Sequence, residues 1–129
     1  RMTLEDNVAL PLVYAQVERE ERRAKARSML ARVGLDGYAQ SLPARISGGQ
    51  QQRVAIARAL INAPSLILAD EPTGNLDRAT GEEVMRLLEG LNRQGVTLIV
   101  VTHDAALGAR AGRQLLMEDG ELRHDSRAE

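Results

Sequence analysis

Ser65-Leu66-Ile67-Leu68-Ala69-Asp70-Glu71-Pro72 is an apolar run that stops at two adjacent carboxylates and a proline. Its first five residues predict a parallel strand buried on both faces, because such strands read as continuous apolar runs rather than alternating ones. Downstream, Val84, Leu87, Leu88 and Leu91 mark the buried face of a helix that stops near Gly95, and Val96 to Val101 forms a second apolar strand. Strand, helix, strand in that order predicts a right-handed parallel crossover and an α/β architecture. Asp70 and Glu71 then stand at the carboxyl end of the first strand. Two carboxylates there are costly near a core unless a cation or solvent receives them, which suggests metal-assisted chemistry. A plain strand-to-turn transition, with Asp and Pro as ordinary turn formers, explains them equally. Thr102-His103-Asp104 ends the second strand. A lone histidine after a strand is commonly a cap or surface residue, but this one shares the carboxyl edge with Asp70 and Glu71, where open α/β sheets bind ligands.

Upstream, Ser47-Gly48-Gly49-Gln50 leads into a helical run from Gln51 to Asn62, which Ala63-Pro64 ends. Each glycine in a first helical turn costs roughly 1 kcal/mol against alanine, so bare backbone is needed there for something. One need is close approach of an anion to the unpaired N–H groups of a helix N-terminus. Ser47 with Gln50 is also an S-x-x-Q capping box, which requires no ligand. Between the strands, Thr73-Gly74-Asn75-Leu76-Asp77 is a turn ending at an N-cap.

The remaining chain reads as scaffold. Thr3 and Asp6 mark a helix start, with Leu4, Val8 and Leu12 apolar and Pro11 expected to kink the helix. Val17 to Val33 is an amphipathic surface helix, with Glu18/Arg22 and Glu21/Lys25 at i,i+4, Ala26, Met29, Leu30 and Val33 on one face, and Gly34 at its end. Its charge run reads as a solvated face. Leu35 to Arg45 is a turn-rich connection. Gln114 to Met117 and Glu121 to Arg123, joined through Asp119-Gly120, predict a hairpin, with fraying from His124 onward.

Composition narrows the function classes. The 129 residues are one domain's worth, able to bury roughly two-thirds of the unfolded surface. No apolar run approaches the roughly 18 residues of a membrane span and no signal-peptide pattern is present, so a soluble intracellular chain is expected. Absence of cysteine excludes disulfides and cysteine-ligated zinc. Lys plus Arg at 17 against Asp plus Glu at 18 removes a strong electrostatic case for nucleic acid. With Tyr14 and Tyr38 the only aromatic residues, base-stacking surfaces are not expected.

Taken in order, Ile46-Ser47-Gly48-Gly49-Gln50, Leu66 to Glu71, Asn75-Leu76-Asp77 and Thr102-His103 resemble the nucleotide-binding subunit of ABC transporters, over nearly the whole chain. The resemblance implies a partial P-loop NTPase fold: a helical subdomain over 1–49 that ends in the signature motif, then the C-terminal half of the parallel-sheet core over 50–129. It implies that Ser47, Gly48, Gly49 and Gln50 are that signature, that Asp70 is the Walker B aspartate holding magnesium through water, and that Glu71 is the catalytic glutamate. By the same resemblance Asp77 belongs to the loop that meets a partner subunit, and His103 senses the γ-phosphate. Ile46 replaces the family's usual leucine, a volume-conserving change. ATP and magnesium, a two-fold dimer of ATP-binding subunits, a transmembrane permease and a cytoplasmic position, peripheral on the cytoplasmic face of the inner membrane, follow as expectations, with no nucleic acid. Glu71 to Asp77 and the leading Asn7-Val8-Ala9-Leu10-Pro11-Leu12 are similar to the lipoprotein-release and macrolide-export group.

One departure qualifies the resemblance: the 129 residues contain no G-x-x-x-x-G-K-[ST] and no glutamine loop. The expectation is of a fragment, inactive alone, in which a phosphate-loop strand is missing between the strand ending at Val101 and the one beginning near Gln114. One alternative is half of a chromosome-maintenance or break-repair ATPase, whose halves flank a coiled coil. That predicts sustained heptads, whereas Leu35 to Arg45 is rich in turn residues. A non-catalytic fragment that only binds a partner is the other.

Overall fold

A computed structural model describes residues 2–127. Helices α1 (Leu4–Tyr14) and α2 (Arg19–Arg32) pack on each other and on α3 (Gly48–Leu60), with a single 3-10 turn, Pro43–Arg45, leading into the last. Thr3 caps α1 in a reciprocal box with Asp6, as expected, and α1 runs through Pro11 to Tyr14. Leu4, Val8 and Leu12 of α1 meet Ala26, Leu30 and Val33 of the second helical face in one core with Val54, Ile56, Ala57 and Leu60 of α3.

Glu5 is the one buried charge among the described residues. Its two carboxylate oxygens accept from Arg23 at 2.7 Å and from Arg27 at 2.9 Å, and Gln40 adds a third bond at 3.0 Å. Burial pushes this carboxyl upward, but the hydrogen bonds and charges of the two arginines outweigh it and hold it below the ordinary 4.5. The cluster ties α1, α2 and the Leu35–Arg45 connection at one point.

The second half is built on β1 (Leu66–Asp70), α4 (Arg78–Arg93) and β2 (Thr97–Val101). The two strands pair in parallel from Leu66 opposite Thr97 to Asp70 opposite Val101, so the crossover read from the sequence forms. Gly95, at φ +110, makes the turn between α4 and β2 in a backbone region closed to residues with a Cβ. Burial on both faces does not occur. Ile67 is buried and Ala69, Leu98 and Val100 join the core, which Val84, Met85, Leu88 and Leu91 of α4 complete, but Leu66, Leu68, Ile99 and Val101 on the opposite face are exposed, Leu68 to 65%. An unbroken apolar run demands cover on both sides, and the described residues supply it on one.

Beyond β2, the single turn α5 (Ala105–Gly108) starts at its N-cap Asp104. Arg110, just past its end, is clamped to Glu82 and Glu89 of α4, which raises its already high pKa further, through Glu89 and then Glu82. β3 (Leu115–Glu118) and β4 (Glu121–Asp125) form the expected antiparallel hairpin, with Asp119 at φ 51 and Gly120 at φ 77 in its turn. Fraying from His124 does not follow. His124 and Asp125 belong to β4, since Arg113 grips the Asp125 carboxylate and, with the Arg127 N–H, pulls it down to about 2; residues 128 and 129 lie outside the described ones. Among the described residues β2 and β3 do not pair, so the strands form two separate two-stranded sheets.

Candidate functional site

The parallel register delivers Asp70 and Glu71 to one end of the sheet and Thr102 and His103 to the same end. Glu71 is fixed at four points. Its N–H donates to the Val101 carbonyl at 2.8 Å, and its own carbonyl accepts from the Gly74 N–H at 3.1 Å. One carboxylate oxygen accepts from the His103 backbone N–H at 2.7 Å, and the other from the Thr102 hydroxyl at 3.1 Å. These bonds hold the residue at φ 46, a left-handed conformation that a side chain adopts only when its surroundings enforce it. The His103 side chain is exposed, as is Asp70. Among the described residues no group of three or more acidic or histidine side chains could cage a metal. A single outward oxygen donor such as Asp70 suits magnesium, which commonly takes one or two carboxylates and completes its shell with phosphate and water.

A second cluster forms where α3 meets α4. Ser47 caps α3 in the reciprocal box with Gln50: the Ser47 hydroxyl accepts from the Gln50 N–H at 3.1 Å, and the Gln50 side chain accepts from the Ser47 N–H at 2.9 Å. The glycine pair therefore lies inside the helix, at its first two positions, earlier than the Gln51 start expected from the sequence. Gly49 is buried, and a Cβ there would clash with the Thr80 methyl; one at Gly48 would stand 3.3 Å from Leu76. Bare backbone is thus required by contact within this chain. The N–H groups of Gly48 and Gly49, like those of any first helical turn, have no intrahelical acceptor. Asp77 caps α4 and accepts from the Thr80 N–H at 3.3 Å, and the Thr80 hydroxyl and N–H hold its carboxyl below the ordinary range.

The structure thus brings the expected site residues together in two groups. Glu71 and His103 meet at the sheet edge beside Asp70. Ser47 to Gln50 approach Asp77 through Thr80, which touches Gly49 with its methyl and serves Asp77 with its hydroxyl. Nothing in the sequence marks Thr80 or Thr102 for these contacts beyond a hydroxyl three residues after a cap and another beside a histidine.

The profile of the ABC transporter family matches residues 1–74, which contain the α3 start, Asp70 and Glu71. The chain belongs to the ABC transporter family. It is 55% identical over 123 residues, 95% of its length, to the macrolide export ATP-binding/permease protein MacB of Chromobacterium violaceum. It is 51% identical over 121 residues to the corresponding protein of Shigella flexneri. The chain spans 19% of each, about a fifth of these curated relatives. Among solved ABC structures, an ATP-binding cassette determined as a dimer in a post-hydrolysis state with ADP and Pi superposes with a TM-score of 0.80 at 45% identity, covering 97% of this chain and 56% of the cassette. The Clostridium perfringens cbiO1 protein, part of an ABC transporter complex, gives 0.86 at 28% identity, over 96% of this chain and 50% of its own. The fold is accordingly that of an ABC ATPase in part, with macrolide-export relatives as the Glu71 to Asp77 stretch implies. No helix of the described residues is long and apolar enough to cross a membrane.

Proposed function

We propose that this chain is part of an ATP-binding and hydrolysing subunit of an ABC transporter of the macrolide-export or lipoprotein-release type, working on the cytoplasmic face of the inner membrane. Two such subunits pair about a two-fold axis, and pairing driven by ATP moves a membrane permease. The observation that carries this reading is the Glu71 carboxylate, held beside His103 and next to Asp70 at the carboxyl edge of two parallel strands.

Asp70 would hold magnesium, which when bound would supply positive charge to offset that of the transferred phosphate. Glu71 orients or deprotonates the attacking water: a carboxylate offers about four lone-pair directions, and two remain open after the bonds from Thr102 and His103. The His103 side chain, exposed at the same edge, contacts the γ-phosphate. Ser47, the free N–H groups of Gly48 and Gly49, Gln50 and Asp77 serve nucleotide held by the second subunit, so each site is composite. The lysine and amide row of a phosphate loop come from outside these 129 residues.

The test separates two neighbouring carboxylates. In the full-length protein, Glu71→Gln retains ATP binding, loses turnover by about a hundredfold or more, and accumulates an ATP-bound dimer visible by light scattering. Asp70→Asn instead weakens magnesium-dependent binding itself. Equal loss of nucleotide affinity in both variants would contradict the assignment.

A further inference from the structure

The Thr102 hydroxyl has one proton and two neighbours. It accepts from the Asp104 N–H at 3.0 Å, which leaves its own hydrogen to be given to Glu71 Oε2 at 3.1 Å. With the His103 N–H on Oε1 at 2.7 Å, the two donors grip both oxygens of one carboxylate and so fix its plane as well as its position. One donor alone leaves the group free to swing about its last torsion, which is broad and soft for a carboxylate. The backbone of Glu71 is equally constrained, in a left-handed conformation kept by bonds to Val101 and from Gly74. A residue strained in its backbone and pinned at both ends of its side chain is one whose aim matters.

We propose that Thr102 is a positioning residue for hydrolysis: its hydroxyl, fixed by the Asp104 N–H, sets the plane of the Glu71 carboxylate so that the remaining lone pairs address the attacking water. The inference rests on the reading of Glu71 given above. Thr102 acts on the water only through Glu71. Loss of the hydroxyl therefore slows the chemical step without weakening the hold on nucleotide.

The test uses ATPase kinetics of the full-length protein. Thr102→Val keeps the branched shape and removes the donor; it lowers kcat about tenfold, the scale expected when a reacting group is misaligned by a fraction of an ångström, and leaves KM for ATP within about twofold. Thr102→Ser keeps the hydroxyl and restores kcat. Added to Glu71→Gln, Thr102→Val lowers the residual rate no further, because the group it aims is already gone. Wild-type turnover in Thr102→Val, a Thr102→Ser as slow as Thr102→Val, or a further loss in the Glu71→Gln background would each overturn the assignment. Should Thr102→Val fail to fold, Thr102→Ser and Thr102→Ala carry the same comparison, with Ser fast and Ala slow. Full turnover by Glu71→Gln would overturn the proposed function and this inference together, whereas turnover lost in Glu71→Gln but intact in Thr102→Val overturns the inference alone.

Discussion

Gly49 shows how one residue can answer to two demands. Its N–H lies in the first turn of α3 without an intrahelical acceptor, while its Cα is packed so closely on Thr80 that a methyl group has no room. Packing decides the outcome of a substitution. Gly49→Ala gains up to about 1 kcal/mol of helix propensity, but forcing the new Cβ against the Thr80 methyl costs roughly 1–3 kcal/mol. Thr80→Ser removes that methyl and keeps the hydroxyl that serves Asp77; the nearest remaining atom, the residue 80 Cβ, lies at 3.8 Å, an ordinary contact. Chemical denaturation of the full-length protein should therefore show Gly49→Ala destabilised and the Gly49→Ala/Thr80→Ser pair restored, with a coupling of about 1 kcal/mol or more. Independent, additive losses would count against the contact. The capping bonds of Ser47, Gln50 and Asp77 are legible in the sequence because the partners are three residues apart. The Gly49 to Thr80 contact is not, since it joins positions that only the folded chain brings together.

At the level of elements, the helices are held by apolar faces and one buried ionic cluster. Glu5 lies on α1, its arginines on α2 and Gln40 in the following connection, so a single carboxylate fixes three segments. Its folded pKa is depressed, so its contribution is complete above the ordinary 4.5 and is lost as the pH falls through the lowered value. Glu5→Gln should cost roughly 1–3 kcal/mol at neutral pH, and the difference from the parent should shrink as the pH is taken below the ordinary 4.5 and through the lowered value, as read from urea midpoints. A constant difference across that range would contradict the pairing. Helix and strand identities follow from periodicity and caps and match the sequence reading closely. The burial of β1 and the length of β4 do not, for the same reason: cover for Leu68 and the grip of Arg113 on Asp125 depend on what lies across from each strand, not on the strand's own residues.

At the scale of the molecule, the described chain carries two two-stranded sheets that expose apolar side chains, Leu66, Leu68, Ile99 and Val101 on one and Leu115, Leu116, Met117 and Leu122 on the other. Residues 1–129 produced alone should aggregate through exposed strand edges and should bind Mg-ATP more weakly than about 1 mM, less than roughly 4 kcal/mol, because the roles proposed for the groups present all fall on phosphate that a phosphate loop would hold. Titration calorimetry with a phosphate-release assay checks this; micromolar affinity with turnover abolished by Glu71→Gln would show that these residues hold nucleotide unaided. The parallel pairing also has a consequence for synthesis. As the chain leaves the ribosome, α1 meets α2 almost at once, but β1 emerges before α4 and must wait for all of α4 before β2 exists to pair with it. Within residues 1–129, Leu66, Ile67 and Leu68 therefore wait for about thirty residues of further synthesis before their described partner strand exists.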